Sequence, residues 1–212
     1  MKCITTRPKD LINIVACHKS AFPDALSSQM GNAFILKMME WYIKSDRGVL
    51  FHLENENNEI IGYCGGIMTK QKGLHGAVTS ISQYSFNTFI LSFLTRPWLI
   101  FHPENIKKIP TIKKNILLKF GLKKPTETLN KNEFIPFMGL IVIGLKKENQ
   151  GKGIGSILLN EFEKRAMNNN DIEKIILSVK PENINAIKAY IKNGWKIGKQ
   201  SDTSTQMFKF TL

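Results

Sequence analysis

Disulfide frameworks and zinc centres are excluded first, because the chain has only three cysteines, Cys3, Cys17 and Cys64, and their spacing forms no motif. Thiols used this sparingly fit a reducing cytoplasm. No apolar run is long enough to span a bilayer: the richest stretch, residues 84–94 and 98–101, is interrupted by Arg96 and Pro97. Residues 1–8 lack the apolar core of a secretion signal, so none is expected. Acidic residues are scarce too, 17 against 30 lysines and arginines, which leaves a net charge of +13 and a pI near 9.7. That balance suits nucleic acid, an anionic membrane face or phosphorylated ligands. Without a zinc-finger, basic-zipper or RNP-like aromatic pattern, a nucleic-acid partner is not expected. With 212 residues the chain can bury one core, which predicts a single domain over 1–212 with a helical insertion at about 70–132.

What is present is concentrated in Gln150-Gly151-Lys152-Gly153-Ile154-Gly155-Ser156, which joins the apolar run 140–145 to an amphipathic run starting at Ile154. Glycines here let the backbone approach a ligand and tolerate the positive φ angles that align successive N–H groups. A helix starting directly afterwards aims its unpaired amides and positive dipole end at the same place, so an anion, most simply a phosphate, is expected there. The dinucleotide fingerprint fails at Ser156, where a third glycine is required. The P-loop pattern fails as well, for want of its Lys-Ser/Thr pair and upstream glycine.

The spacing that does fit is Gln/Arg-x-x-Gly-x-Gly/Ala between a strand and a helix, carried by Gln150, Gly153 and Gly155. A second block follows the strand-like run 175–179, in which Asn183 precedes a helical stretch, Tyr190 lies seven residues on, and Gly194-Trp195 closes it. Together the blocks resemble the acetyl-CoA pyrophosphate loop and closing motif of the GNAT (GCN5-related) N-acetyltransferases. The close resemblance covers about residues 137–198. It implies an α/β (α+β) fold with a mixed, mostly antiparallel twisted sheet that splays at the cofactor strand, flanked by helices. Acetyl-CoA would be the cosubstrate, with no metal. The backbones of Ile143, Gly144 and Leu145 would take the pantetheine arm as an added strand. Gln150, Gly151, Lys152, Gly153, Ile154, Gly155 and Ser156 would cradle the pyrophosphate, joined by Asn183 and Tyr190. By the same resemblance Tyr190 would be the general acid beside the sulfur.

The general base is less determined. Relatives often place a Glu on or beside the strand leading to the loop, and residues 138–145 hold no acid. Glu133 is the nearest upstream candidate; His75, His102 and a water relay remain open beside it.

Elsewhere, residues 2–6 read as an edge strand, 11–18 as a helix, and 24–45 as a second helical stretch with a broad apolar face. Two β-rich runs around Asn55 to Asn58 read as a hairpin, and Gly65-Gly66 inside the second as a bulge, a close backbone approach or an acceptor entrance. Gly144 is unusual in a strand and is expected to widen the cleft. In the insertion, Lys107, Lys108, Lys113, Lys114, Lys119, Lys123 and Lys124 alternate with apolar residues and no acid intervenes. A solvated helical insertion, a lid offering cations to a phosphorylated acceptor, and a contact with the inner face of an anionic membrane are all open. The stretch 18–23 and the insertion resemble a bacterial subgroup of the family associated with envelope sugar pathways, which implies a small-molecule amine acceptor such as an amino sugar on a nucleotide or lipid carrier. A non-catalytic acyl-CoA sensor and a protein N-terminal or lysine acetyltransferase are the alternatives. Either a monomer or a homodimer is compatible with the sequence.

Overall fold

The structure, a computed structural model, describes residues 1–74, 76–104 and 134–211. Its centre is a seven-stranded sheet in the order β1-β2-β3-β4-β5-β7-β6, with β1 Lys2–Thr5, β2 Gly48–Glu54, β3 Ile60–Thr69, β4 Phe137–Leu145, β5 Lys174–Val179, β6 Lys196–Ser201 and β7 Ser204–Phe210. Every neighbouring pair is antiparallel except β4 and β5. The fold is therefore the mixed, mostly antiparallel α/β sheet that the sequence implied.

Both faces of the middle strands are covered, which explains why β3 is buried almost throughout. On one face, α1 (Leu11–Ala21) and α3 (Asn32–Lys44) bury Ile14, Val15, Ile35 and Met39 against Leu50, Tyr63 and Ile67. On the other, α6 (Gly155–Met167) buries Leu158, Leu159, Phe162 and Ala166 against Phe51, Leu53, Cys64 and Met138. Each large apolar side chain removed from water in this way contributes about 1.5–3 kcal/mol before conformational entropy is counted. Further helices among the described residues are α2 (Leu26–Gln29), α4 (Ala77–Tyr84), α5 (Phe86–Thr95) and α7 (Ile184–Lys192).

Three local expectations are realised for identifiable reasons. The β2–β3 turn is held by Asn55, whose Oδ1 accepts from the N–H groups of Asn57 and Glu59, while Asn58 takes the left-handed conformation at φ 58°. Asp10 accepts from the N–H of Arg7 and so stabilises the turn that leads into α1. At Gly65-Gly66 the register with β4 slips by one, Gly65 pairing with Val142 and Gly66 with Leu140, so the extra residue is Ile141. The two glycines leave room for neighbours, since a Cβ on Gly66 would sit 2.6 Å from Phe162 and one on Gly65 2.9 Å from Val142. Close packing beside a bulge therefore accounts for them.

One expectation needs correction. The helical stretch 24–45 is two helices, because Gly31 at φ 92° breaks the chain between α2 and α3. The first part of the insertion forms α4, α5 and a 3-10 turn, Pro97–Phe101. Leu99 is buried with Leu26 and Met30, whereas Leu94, Trp98 and Phe101 are exposed. The lysine-rich stretch on which lipid or acceptor-phosphate contact was expected lies in 105–133, outside the described residues.

Replacing Gly66 with alanine is expected to cost about 2 kcal/mol of folding stability through overpacking against Phe162 and the carbonyl of Gly139. Urea denaturation of the variant measures it, and an unchanged midpoint would refute the close approach.

Candidate active site

Strands β4 and β5 pair over only four residues each, from Phe137 with Lys174 to Leu140 with Leu177. Beyond that point β4 keeps β3 on one side, down to Leu145 opposite Gly62, and among the described residues has no strand on the other. Backbone donors and acceptors on the free edge are thus available to an extended ligand. The divergence opens a cavity of about 390 Å³ whose walls include Phe22, Ile143, Gly144, Gly153, Ser156 and Tyr190.

At the floor of this cavity the chain turns into α6 through the glycine loop. Gly151 and Gly153 have φ 75° and 76°, and open space lies where a side chain on either would point. The N–H groups of Gly151, Lys152, Gly153, Ile154 and Gly155 find no acceptor among the described residues. Ile154 anchors the loop in the core, and Gln150 braces it by donating its side-chain N–H to the carbonyl of Leu145 at 2.9 Å. A row of unpaired amides at a helix start, on glycines with no Cβ in the way, fits a diphosphate.

The opposite wall is α7. Asn183 caps it, its Oδ1 accepting from the N–H of Ala186 at 3.2 Å. At the other end Gly194 (φ 81°) allows a Schellman closure, in which Trp195 N–H donates to the carbonyl of Tyr190 and Gly194 N–H to that of Ile191. The Tyr190 and Trp195 rings meet at 5.9 Å. Trp195 is itself fixed, its indole N–H donating to Glu163 Oε1 at 2.6 Å, while Lys209 bonds Glu163 Oε2 at 2.6 Å and the carbonyl of Asn193 at 3.0 Å. The buried carboxylate of α6 therefore locks the helix that carries Tyr190. Burial pushes the Tyr190 phenol up to about 12, so it holds its proton at neutral pH.

Residues 128–195 match the family model described as the Acetyltransferase (GNAT) family. The match spans about a third of the chain. The fold of the chain is similar to that of several solved acetyltransferases. A spermidine N-acetyltransferase (SpeG) chimera from Vibrio cholerae and human SSAT is 14% identical, with 100% of this chain and 96% of that one covered at a TM-score of 0.56. NAA60 of Arabidopsis thaliana in complex with acetyl-CoA is 13% identical, covering 99% and 97% at 0.56. The PaiA N-acetyltransferase of Thermoplasma acidophilum in complex with coenzyme A is 15% identical, covering 99% and 98% at 0.54. No curated protein matches the chain in sequence.

Of the residues singled out in the sequence, Ile143, Gly144, Leu145, Gln150, Gly153, Gly155, Ser156 and Tyr190 all come together on the cavity. Gly151 and Lys152 are exposed in the same loop; Ile154 faces the core and Asn183 serves as the helix cap. Gly144 does not widen the cleft as expected. A Cβ there would meet Phe22 at 2.8 Å and Tyr63 at 3.0 Å, so the glycine lets α1 pack down on β4. This approach makes Ala21 and Phe22 part of the wall, a role the sequence did not reveal. Ser20 secures it, accepting from the N–H of Lys147 at 3.2 Å.

Glu133 and His75 lie outside the described residues. His102 is described and is a clamp: its Nδ1 accepts from the N–H of Glu104, which leaves Nε2 to donate to the carbonyl of Asp24 at 3.2 Å. Among the described residues no helix is long and apolar enough to cross a membrane, and no group of three His, Cys, Asp or Glu residues could hold a metal.

His18, on α1 behind Phe22, is buried between Tyr63 and Ser27, and burial drives its imidazole down to about 4 from the ordinary 6.5. Between those pH values the unfolded chain takes up a proton that the folded one refuses, so stability falls as pH falls through the window and no further below it. The native protein should lose about 3 kcal/mol more than His18→Asn between pH 7 and pH 4. Denaturant titrations at the two pH values measure this, and equal losses would contradict it.

Proposed function

We propose that this enzyme transfers the acetyl group of acetyl-CoA to a primary amine of a small molecule, by direct attack within a ternary complex. The observation that carries the reading is the convergence on one cavity of a free strand edge, a row of unpaired amides and a protonated phenol. Acetyl-CoA supplies the activated thioester; the chain's residues do the rest. The amides of the glycine loop, with Lys152 nearby, would hold the diphosphate. The free edge of β4 at Ile143, Gly144 and Leu145 would align the pantetheine arm, and N–H groups there would stabilise an oxyanion. Tyr190 keeps a proton at its phenol oxygen for the departing sulfur, which a tyrosine of ordinary acidity would also do but which burial reinforces.

The acceptor amine must arrive uncharged. Because no carboxylate is among the residues that line the cavity, its proton leaves through water or through a group outside the described residues, where Glu133 remains the candidate. An amino sugar on a nucleotide or lipid diphosphate fits the basic character of the chain, net charge +13, better than a polycationic acceptor does. Neighbours in fold include enzymes named for spermidine and for aminoglycosides, so amines of both kinds belong in the test panel.

Two variants separate binding from chemistry. Gly153→Glu should abolish coenzyme A binding by calorimetry, because it forces a side chain onto a left-handed backbone and a negative charge into the diphosphate cradle. Tyr190→Phe should retain affinity while kcat, read as thiol release with an accepted amine, drops roughly a hundredfold. Tight binding by the glutamate variant would displace the cradle. Unchanged turnover by the phenylalanine variant would remove Tyr190, and acetyl-CoA binding without thiol release in the presence of any amine would favour a sensor.

A further inference from the structure

The insertion presents an apolar face that the cavity does not use. On α5, Phe89 and Phe93 point to one side and pack against the buried Leu26, Met30 and Leu99, where Ser92 Oγ also donates to the carbonyl of Met30. Helical spacing puts Ile90, Leu91 and Leu94 on the opposite side, and all three are exposed. In the 3-10 turn that follows, Leu99 is buried and Trp98, Ile100 and Phe101 are outside. Leu94, Trp98 and Phe101 are 75%, 61% and 79% exposed, so they stand on a convex surface rather than in a groove. The segment is tied down at several points. Arg96 donates to the carbonyl of Met30, His102 bonds that of Asp24, and Glu104 accepts from the N–H of Leu26.

A rigid, protruding apolar surface of this extent marks a contact with a partner or a membrane. Shape and charge choose between them. A protein partner would need a matching pocket for each protruding side chain, whereas lipid deforms around them. Residues 86–103 contain no carboxylate, and residues 60–126 contain ten lysines and arginines against one, Glu104. That carboxylate is engaged on the N–H of Leu26. Arg96 lies within the face's own stretch, and seven lysines follow in the sequence at 107–124. Tryptophan, phenylalanine and leucine beside cations, without acids, match the headgroup level of an anionic bilayer.

We propose that Ile90, Leu91, Leu94, Trp98, Ile100 and Phe101 form a docking face for a bilayer rich in anionic lipid. The apolar side chains enter the headgroup boundary, and the basic character of the surrounding sequence supplies the attraction to lipid phosphates. This goes beyond acetyl transfer and does not depend on it.

Tryptophan makes the contact directly observable: of the three in the chain, all among the described residues, Trp41 and Trp195 are buried and Trp98 is exposed. The full chain is floated with vesicles of phosphatidylcholine alone and with vesicles that also contain about 30% phosphatidylglycerol. The native protein should partition onto the anionic vesicles at least about tenfold more than onto the neutral ones, with a blue shift of its emission. Trp98→Phe should keep the flotation and lose the shift. A triple variant, Leu94→Ser with Trp98→Ser and Phe101→Ser, should partition about tenfold less or lower still, at an unchanged urea midpoint because all three side chains are exposed. Failure of the native chain to float overturns the proposal. So does flotation of the triple variant equal to native, which would reduce the contact to charge alone. A triple variant destabilised like a core truncation would show the face packed within this chain, and one that converts a native dimer to monomers would show a second copy seated on it; either result overturns the lipid assignment.

Discussion

Everything in the site depends on the parting of β4 from β5 after Leu140 and Leu177. A parallel pair that continued would consume the edge of β4 and close the cavity; one that never formed would leave the sheet in two pieces. Four paired residues on each strand are enough to join the halves, and beyond them the edge is free. The bulge at Ile141 falls at the same level. A bulge raises local twist and bends its strand, so β4 turns away from β5 while it keeps its bonds to β3. The side chain of Ile141, 40% exposed, marks the place where sheet core gives way to cleft.

An open edge is useful only if the opposite wall is fixed, and the fixing is local chemistry. The Schellman closure sets where α7 ends, Trp195 packs on Tyr190, and Glu163 binds the indole and the Lys209 ammonium at once. The carboxylate is buried, yet both of its oxygens are bonded, which is what makes a charge tolerable there. Tyr190 is thereby held by its own backbone carbonyl as well as by its ring. The floor is fixed by Ile154 in the core and by the bond from Gln150 to Leu145.

The legible parts of this architecture are those whose requirements are local. Gly151 and Gly153 must be glycine because the backbone turns left-handed there, Asn183 because it caps a helix, Gly194 because it ends one; each sits in the sequence at the spacing its turn demands. The hairpin at Asn55 and the amphipathic stripe of α6 were readable for the same reason. Gly144 was misread because its cause is a neighbour distant in sequence: α1 arrives on top of it, some 120 residues earlier in the chain. The network of Tyr63, His18 and Ser27 could not be read at all, since its members look like ordinary apolar-face residues until β3, α1 and α2 are assembled. Strand β6, exposed on both faces, lacks the alternation that would betray a strand.

Amide hydrogen exchange with and without coenzyme A tests the open edge and its cradle most directly. The N–H groups of residues 151–155 and of the free side of β4 over 141–145 are unprotected by the fold and should exchange markedly more slowly when coenzyme A is present, while β1 and β2 exchange as before. Exchange at these two segments that is indifferent to saturating coenzyme A would contradict the account.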